Sequence, residues 1–229
     1  MTSERFTLPF GELALSAQLD RPAGPVRASA ILLAHGAGFA FDAPWMERIA
    51  LGLVARGFPV LRFNYPYKER ARLSGRDLPP DRQAVLEEAH ALAVATLAER
   101  AGGARLLLAG KSMGGRISTY LAAKGERCAG LVLFGYPLHP PREVTRTRSE
   151  HFSTLAQPAL FLQGTRDEFA ELELLRAALV RYGGRATLEV IEDADHGFHV
   201  RKSSEKNDDE VREFLLERVA RWEAETFPS

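Results

Sequence analysis

The chain has 229 residues, 45% of them hydrophobic and 26% charged, with 30 Lys+Arg against 30 Asp+Glu. This is a soluble globular composition, and it excludes disordered, collagen-like and membrane-spanning chains. A net charge of zero offers no basic field to a phosphate backbone, so no nucleic-acid partner is expected. A chain of this length suits one domain over residues 1–229, since a single core of that size buries most of the extended surface. Cys128, the one cysteine, has no disulfide partner and fits a reducing compartment. No basic start followed by an apolar core opens the chain, and no apolar run approaches the ~20 residues that cross a bilayer. The sequence therefore reads as cytoplasmic, with no membrane partner.

In chain order, Leu13, Leu15, Ala17 and Leu19 recur at period two and predict a strand buried on one face, in an opening hairpin or meander that Pro22, Gly24 and Pro25 turn. Strands are then expected over residues 28–34, 59–63, 105–109, 131–134, 159–162 and 187–191. Helices are expected over 45–56 and near 81–100, then on the faces marked by Leu172, Leu175 and Leu179 and by Val211, Phe214, Leu215, Val219 and Trp222. Runs apolar at consecutive positions suit strands covered on both faces, so the alternation predicts a doubly wound α/β fold. Its sheet is mostly parallel, with helices on both faces and antiparallel N-terminal strands. Residues 64–80 and 135–157 read as irregular rims of a site, too short for a separate cap domain.

Gly110-Lys111-Ser112-Met113-Gly114 lies between the strand at 105–109 and a proline-free helical stretch at 116–123. A serine in a tight strand-to-helix turn of this kind is thrown to the top of the sheet, and the flanking glycines make the turn sterically possible. Ser112 is thus the candidate nucleophile, and the amide of Met113, at the head of the helix, a candidate oxyanion donor. A neutral serine needs a base and a group to orient it. His196, in the loop after the strand at 187–191, is the candidate base; His199 reads as a satisfied loop residue, and His90, His139 and His151 as solvated or locally bonded. Asp167 ends the loop after another strand, on the edge where ligands of open α/β sheets gather, and is the candidate acid. Asp193, Asp195 and Glu168 compete, but a carboxylate one residue from His196 is poorly placed to accept from its ring while the ring faces Ser112. His35-Gly36-Ala37-Gly38 follows the strand at 28–34 and offers the amide of Ala37 as second oxyanion donor, with His35 a structural loop former.

Together, the HGAG loop, the GKSMGG elbow, the GTRD acid loop and the DADHGF histidine loop resemble the α/β-hydrolase superfamily, whose nucleophile, acid and base follow in the same order. More narrowly, LLAHGAG, RFNYPY, GKSMGGR, GYPLHPP and LQGTRDEF resemble a dienelactone-hydrolase-like subgroup. That subgroup includes a testis-expressed hydrolase-like protein and a subunit of the non-specific-lethal chromatin complex. The resemblance implies the α/β-hydrolase fold and a Ser112, His196, Asp167 triad without settling the substrate.

Other chemistries fail on spacing. A phosphate-binding loop needs a glycine where Arg105 stands, and a dinucleotide fingerprint needs one where Phe41 stands. Asp193, Asp195, His196 and His199 lack metal-ligand spacing. No cofactor and no metal are expected. Lys111 reads as a solvated or ion-paired side chain with no catalytic role, and Arg142, Arg146 and Arg148 as a solvated loop face. Cys128 reads as a near-core residue. The expected function is serine hydrolysis of an ester, thioester or amide in a small-molecule acyl substrate, through an acyl-enzyme that an alcohol or amine acceptor would equally discharge. A noncatalytic interaction module on the same fold is the alternative.

Overall fold

Two antiparallel strands, β1 (Thr2–Phe10) and β2 (Leu13–Arg21), open the chain as a hairpin. Strands and helices follow, alternating except where two helices and later two strands are consecutive: β3 (Ser29–Ala34), α1 (Pro44–Ala55), β4 (Val60–Phe63), α2 (Pro66–Ser74), α3 (Gln83–Arg100), β5 (Arg105–Lys111), α4 (Met113–Ala123), β6 (Gly130–Phe134), β7 (Ala159–Gly164), α5 (Leu172–Leu179), β8 (Ala186–Ile191) and α6 (Asp208–Thr226). The computed structural model describes residues 1–228. Its strands form one 8-stranded sheet in the order β1-β2-β4-β3-β5-β6-β7-β8. β2 meets β4 antiparallel, and every pairing from β4 through β3 to β8 is parallel.

The two faces of the sheet carry separate apolar layers, which explains the unbroken apolar runs. In β3, Ala30, Leu32 and Ala34 face the layer of Leu86 and Ala89 from α3 and Ile117 from α4. Ile31 and Leu33 face the opposite layer, with Met46 and Ile49 of α1 and Leu215 and Val219 of α6. β3 is buried at every position, whereas the edge strand β8 is half-buried over all but its last residue.

One expectation fails between residues 64 and 80, read as irregular, where α2 forms. Pro66 occupies the first turn, where its missing N–H costs nothing, and Gly75 at φ 65 stops the helix. A second correction concerns His90, which is neither solvated nor locally bonded: it is fully buried in α3, and its Nδ1 lies 2.8 Å from the Tyr65 hydroxyl. Burial lowers the His90 imidazole to about 3 and that of His35, also fully buried, to about 4.

These two rings make the fold acid-sensitive in a defined window. The unfolded chain binds a proton at each histidine near pH 6.5, whereas the folded chain refuses it until about pH 4 at His35 and about pH 3 at His90. Their contribution is therefore whole above pH ~6.5 and is lost as pH falls toward the folded values, by about 1–2 kcal/mol per ring at pH 5. Denaturant unfolding at pH 7 and pH 5 is expected to show that loss. Shifted carboxylates such as Asp20 and Glu69, held below their usual range, act only at lower pH. Equal stability at the two pH values would contradict the assignment.

Candidate active site

Five strand ends meet at the C-terminal edge of the sheet, where ligands of open α/β folds bind. Ser112 follows β5, Gly135 follows β6, Asp167 follows β7, His196 follows β8 and the His35–Ala37 loop follows β3.

Ser112 has φ 51 and ψ −113, a conformation that L side chains rarely adopt and that costs about 1–3 kcal/mol. The glycines around it leave no alternative. A Cβ at Gly110 would stand 2.2 Å from the Gly115 nitrogen, and one at Gly114 2.4 Å from the Ala34 carbonyl oxygen. The elbow thus exists because β5, α4 and the end of β3 touch backbone to backbone. α4 starts at once, Arg116 N donating to Ser112 O at 3.0 Å, and the Met113 amide, at its first position, has no carbonyl within the helix to pair with.

The three candidate side chains are in contact. Ser112 Oγ lies 2.9 Å from His196 Nε2, and His196 Nδ1 lies 2.7 Å from Asp167 Oδ2. The Asp167 side chain is fully buried and that of His196 is 22% exposed. Asp167 Oδ2 also accepts from Gln163 Nε2 at 2.5 Å, and Oδ1 from the Phe169 amide at 2.8 Å. Gln163 is fixed in turn, its Oε1 accepting from Tyr136 N at 2.9 Å. The Phe169 ring lies 4.3 Å from the imidazole, centroid to centroid, and restricts its rotation.

The competing carboxylates are occupied elsewhere. Asp195 Oδ1 accepts from Gly197 N at 2.8 Å and His199 N at 2.9 Å, closing the histidine loop. Asp193 pairs with Arg201 at 3.3 Å, and Glu168 is exposed. His199 is an exposed partner of Asp208 at 2.6 Å. His139 Nε2 accepts from Glu171 N at 3.0 Å, and His151 Nε2 meets the Thr119 hydroxyl at 2.8 Å. Cys128 is half-buried, Arg142 and Arg146 are exposed, and Arg148 is half-buried, with NH1 donating to Pro137 O at 3.2 Å.

The Ala37 loop is held from beneath. His35 Nε2 accepts from Tyr65 N at 3.1 Å, so Nδ1 carries the hydrogen and donates to Gly36 O at 2.8 Å. The Tyr67 hydroxyl donates to Ala37 O at 2.8 Å. A Cβ on Gly36 would stand 3.5 Å from Ser112 Cβ, which brings the loop against the elbow.

Lys111 departs from the sequence reading. It is the last residue of β5 and only 2% exposed, neither solvated nor, among the described residues, in a salt bridge. Sequence reasoning also passed over Gly135, Gln163, Phe169, Tyr65 and Tyr67. The available signals were slight: a lone glutamine ending the apolar run of β7, a glycine straight after β6, and the aromatic pair in RFNYPY.

A cleft of about 810 Å³ lies between β1, residues 40–42 and α2, and another of about 1040 Å³ runs along residues 200–213; neither includes Ser112, Asp167 or His196.

Residues 27–224 match a family model described as an alpha/beta hydrolase domain. An alpha-beta serine hydrolase homologue from Coxiella burnetii is 22% identical with a TM-score of 0.76, over 96% of this chain and 98% of that one. A dienelactone hydrolase from Anabaena variabilis is 21% identical with a TM-score of 0.71, over 99% and 96%. A serine hydrolase without a lid from Xanthomonas campestris is 21% identical with a TM-score of 0.75, over 96% and 94%. At these identities the likeness is one of fold, whereas the family match spans most of the sequence: the chain belongs to the alpha/beta hydrolase domain family.

Proposed function

We propose that the protein is a serine hydrolase that cleaves an ester, thioester or amide of a small acyl substrate through a Ser112, His196, Asp167 triad. The observation that carries this reading is the continuous contact from Asp167 Oδ2 to His196 Nδ1 at 2.7 Å and from His196 Nε2 to Ser112 Oγ at 2.9 Å. Asp167 holds the hydrogen on Nδ1, so Nε2 presents its lone pair to the serine. As Oγ attacks the carbonyl, its proton passes to Nε2, and the carbonyl oxygen takes up the negative charge. The Met113 and Ala37 amides donate to that oxyanion. The imidazolium protonates the leaving group, whose bond to carbon breaks to give the acyl-enzyme. Water then repeats the sequence, losing its proton to His196, and releases the acid and Ser112.

No helix among the described residues is long and apolar enough to cross a membrane. Cys128, the one cysteine, is free, which fits the reducing cytoplasm. Within the family, the quoted motifs favour the dienelactone-hydrolase-like subgroup of the testis-expressed and non-specific-lethal proteins. The test is turnover of a short-chain p-nitrophenyl ester by the purified protein and its loss in Ser112→Ala. Absence of turnover in the wild type across acyl lengths and pH would favour a noncatalytic module.

A further inference from the structure

The Lys111 ammonium sits against the His196 backbone, in surroundings that leave it little freedom. Nζ donates to the His196 carbonyl oxygen at 2.6 Å and lies 6.0 Å from the Trp45 ring centroid and 5.5 Å from that of Phe198. The position of a Cβ built on Gly135 fixes the rest: one point stands 3.0 Å from Lys111 Nζ, 3.4 Å from Asp167 Oδ2 and 3.4 Å from His196 Nδ1. Gly135, at φ 63, leaves open the space where cation, carboxylate and imidazole converge. Among the described residues Lys111 makes no salt bridge. A buried charge so placed is costly, and an apolar side chain of similar length would fill the same space at less cost.

We propose that Lys111 is a positioning residue of the hydrolytic site, which tethers the His196 backbone from beneath and sets a fixed positive charge beside the Asp167–His196 pair. This rests on the reading of Ser112, His196 and Asp167 as the reacting groups. The tether fixes the segment that aims Nε2 at Ser112. The charge balances the buried Asp167 carboxylate, both before attack and when the imidazolium and the oxyanion form together as a pair. The charged and titratable groups facing the ammonium are Asp167 from the loop after β7 and Asp195 and His196 from the loop after β8; α1 and the end of β6 bring Trp45 and Gly135, which carry no charge. Burial lowers Lys111 to about 8, opposed by Asp167 and Asp195, so the ammonium is the prevailing form at neutral pH.

The test compares wild type with Lys111→Met and Lys111→Arg, each checked for native near-UV circular dichroism, by ester turnover at pH 7. In Lys111→Met, kcat is expected to fall about 10–100-fold with KM within about twofold, because the tether is lost and the imidazole is misaimed. Lys111→Arg, which keeps a cationic donor, is expected to recover part of that loss in kcat. A merely structural lysine would lower the melting temperature without splitting kcat from KM. A folded Lys111→Met with wild-type kcat overturns the proposal. If instead Ser112→Ala retains turnover, the hydrolase reading itself fails; full loss in Ser112→Ala with a wild-type kcat in Lys111→Met refutes only the role of Lys111.

Discussion

Replacing Ser112 by alanine is expected to lower kcat on an activated ester by about 10⁴-fold or more, leaving the residual catalysis of the oxyanion donors and binding. The fold has no reason to suffer, because alanine meets the same strain at φ 51 and the hydroxyl bonds only to His196 Nε2 among the described residues. Ser112→Gly makes the point from the other side. Glycine adopts positive φ freely, so relief of the elbow is expected to stabilise the protein by about 1 kcal/mol and raise its melting temperature by about 2–4 °C, while activity is abolished. Activity within tenfold of wild type in either variant would place the nucleophile elsewhere.

Asp167→Asn is expected to cost about 10³–10⁴-fold in kcat with little change in KM. Two donors converge on Oδ2, Gln163 Nε2 at 2.5 Å and the His196 ring at 2.7 Å. An asparagine either turns its NH₂ toward that point, facing two donors with a third, or keeps its oxygen there and offers the imidazolium no compensating charge. The first arrangement drives the hydrogen of His196 to Nε2, where it blocks the lone pair that Ser112 needs; the second weakens the base. Steady-state kinetics beside a melting curve separates this from unfolding, and a loss smaller than about tenfold in a folded variant would remove Asp167 from the mechanism.

Strands β3 to β7 were legible because each is covered on both faces and therefore largely apolar at consecutive residues, a signal that needs no knowledge of partners. β2 was legible for the complementary reason, its alternation. α2 was not: Pro66 and a run of charged residues look like a loop, and only the turn at Gly75 and the packing of Tyr67 against the Ala37 loop make a helix of them. The site shows the same division. Ser112, Asp167 and His196 sit in short local patterns at strand ends, and topology does the rest. The burial of Lys111 and His90 depends on residues far away in sequence: the His196 carbonyl, Trp45 and Phe198 around one, and Tyr65 against the other. No local pattern distinguishes such a lysine from a solvated one. Gln163 and Gly135 escaped for a related reason, since what matters about them is an atom held, or left out, beside Asp167.

The most direct measurement is stoichiometric reaction of the wild-type protein with a fluorophosphonate followed by peptide mapping. A single adduct on Ser112, formed more slowly in His196→Ala and absent in Ser112→Ala, is the expected result. An adduct on another residue, or no adduct at any pH between 5 and 9 in a protein that is demonstrably folded, would contradict the account.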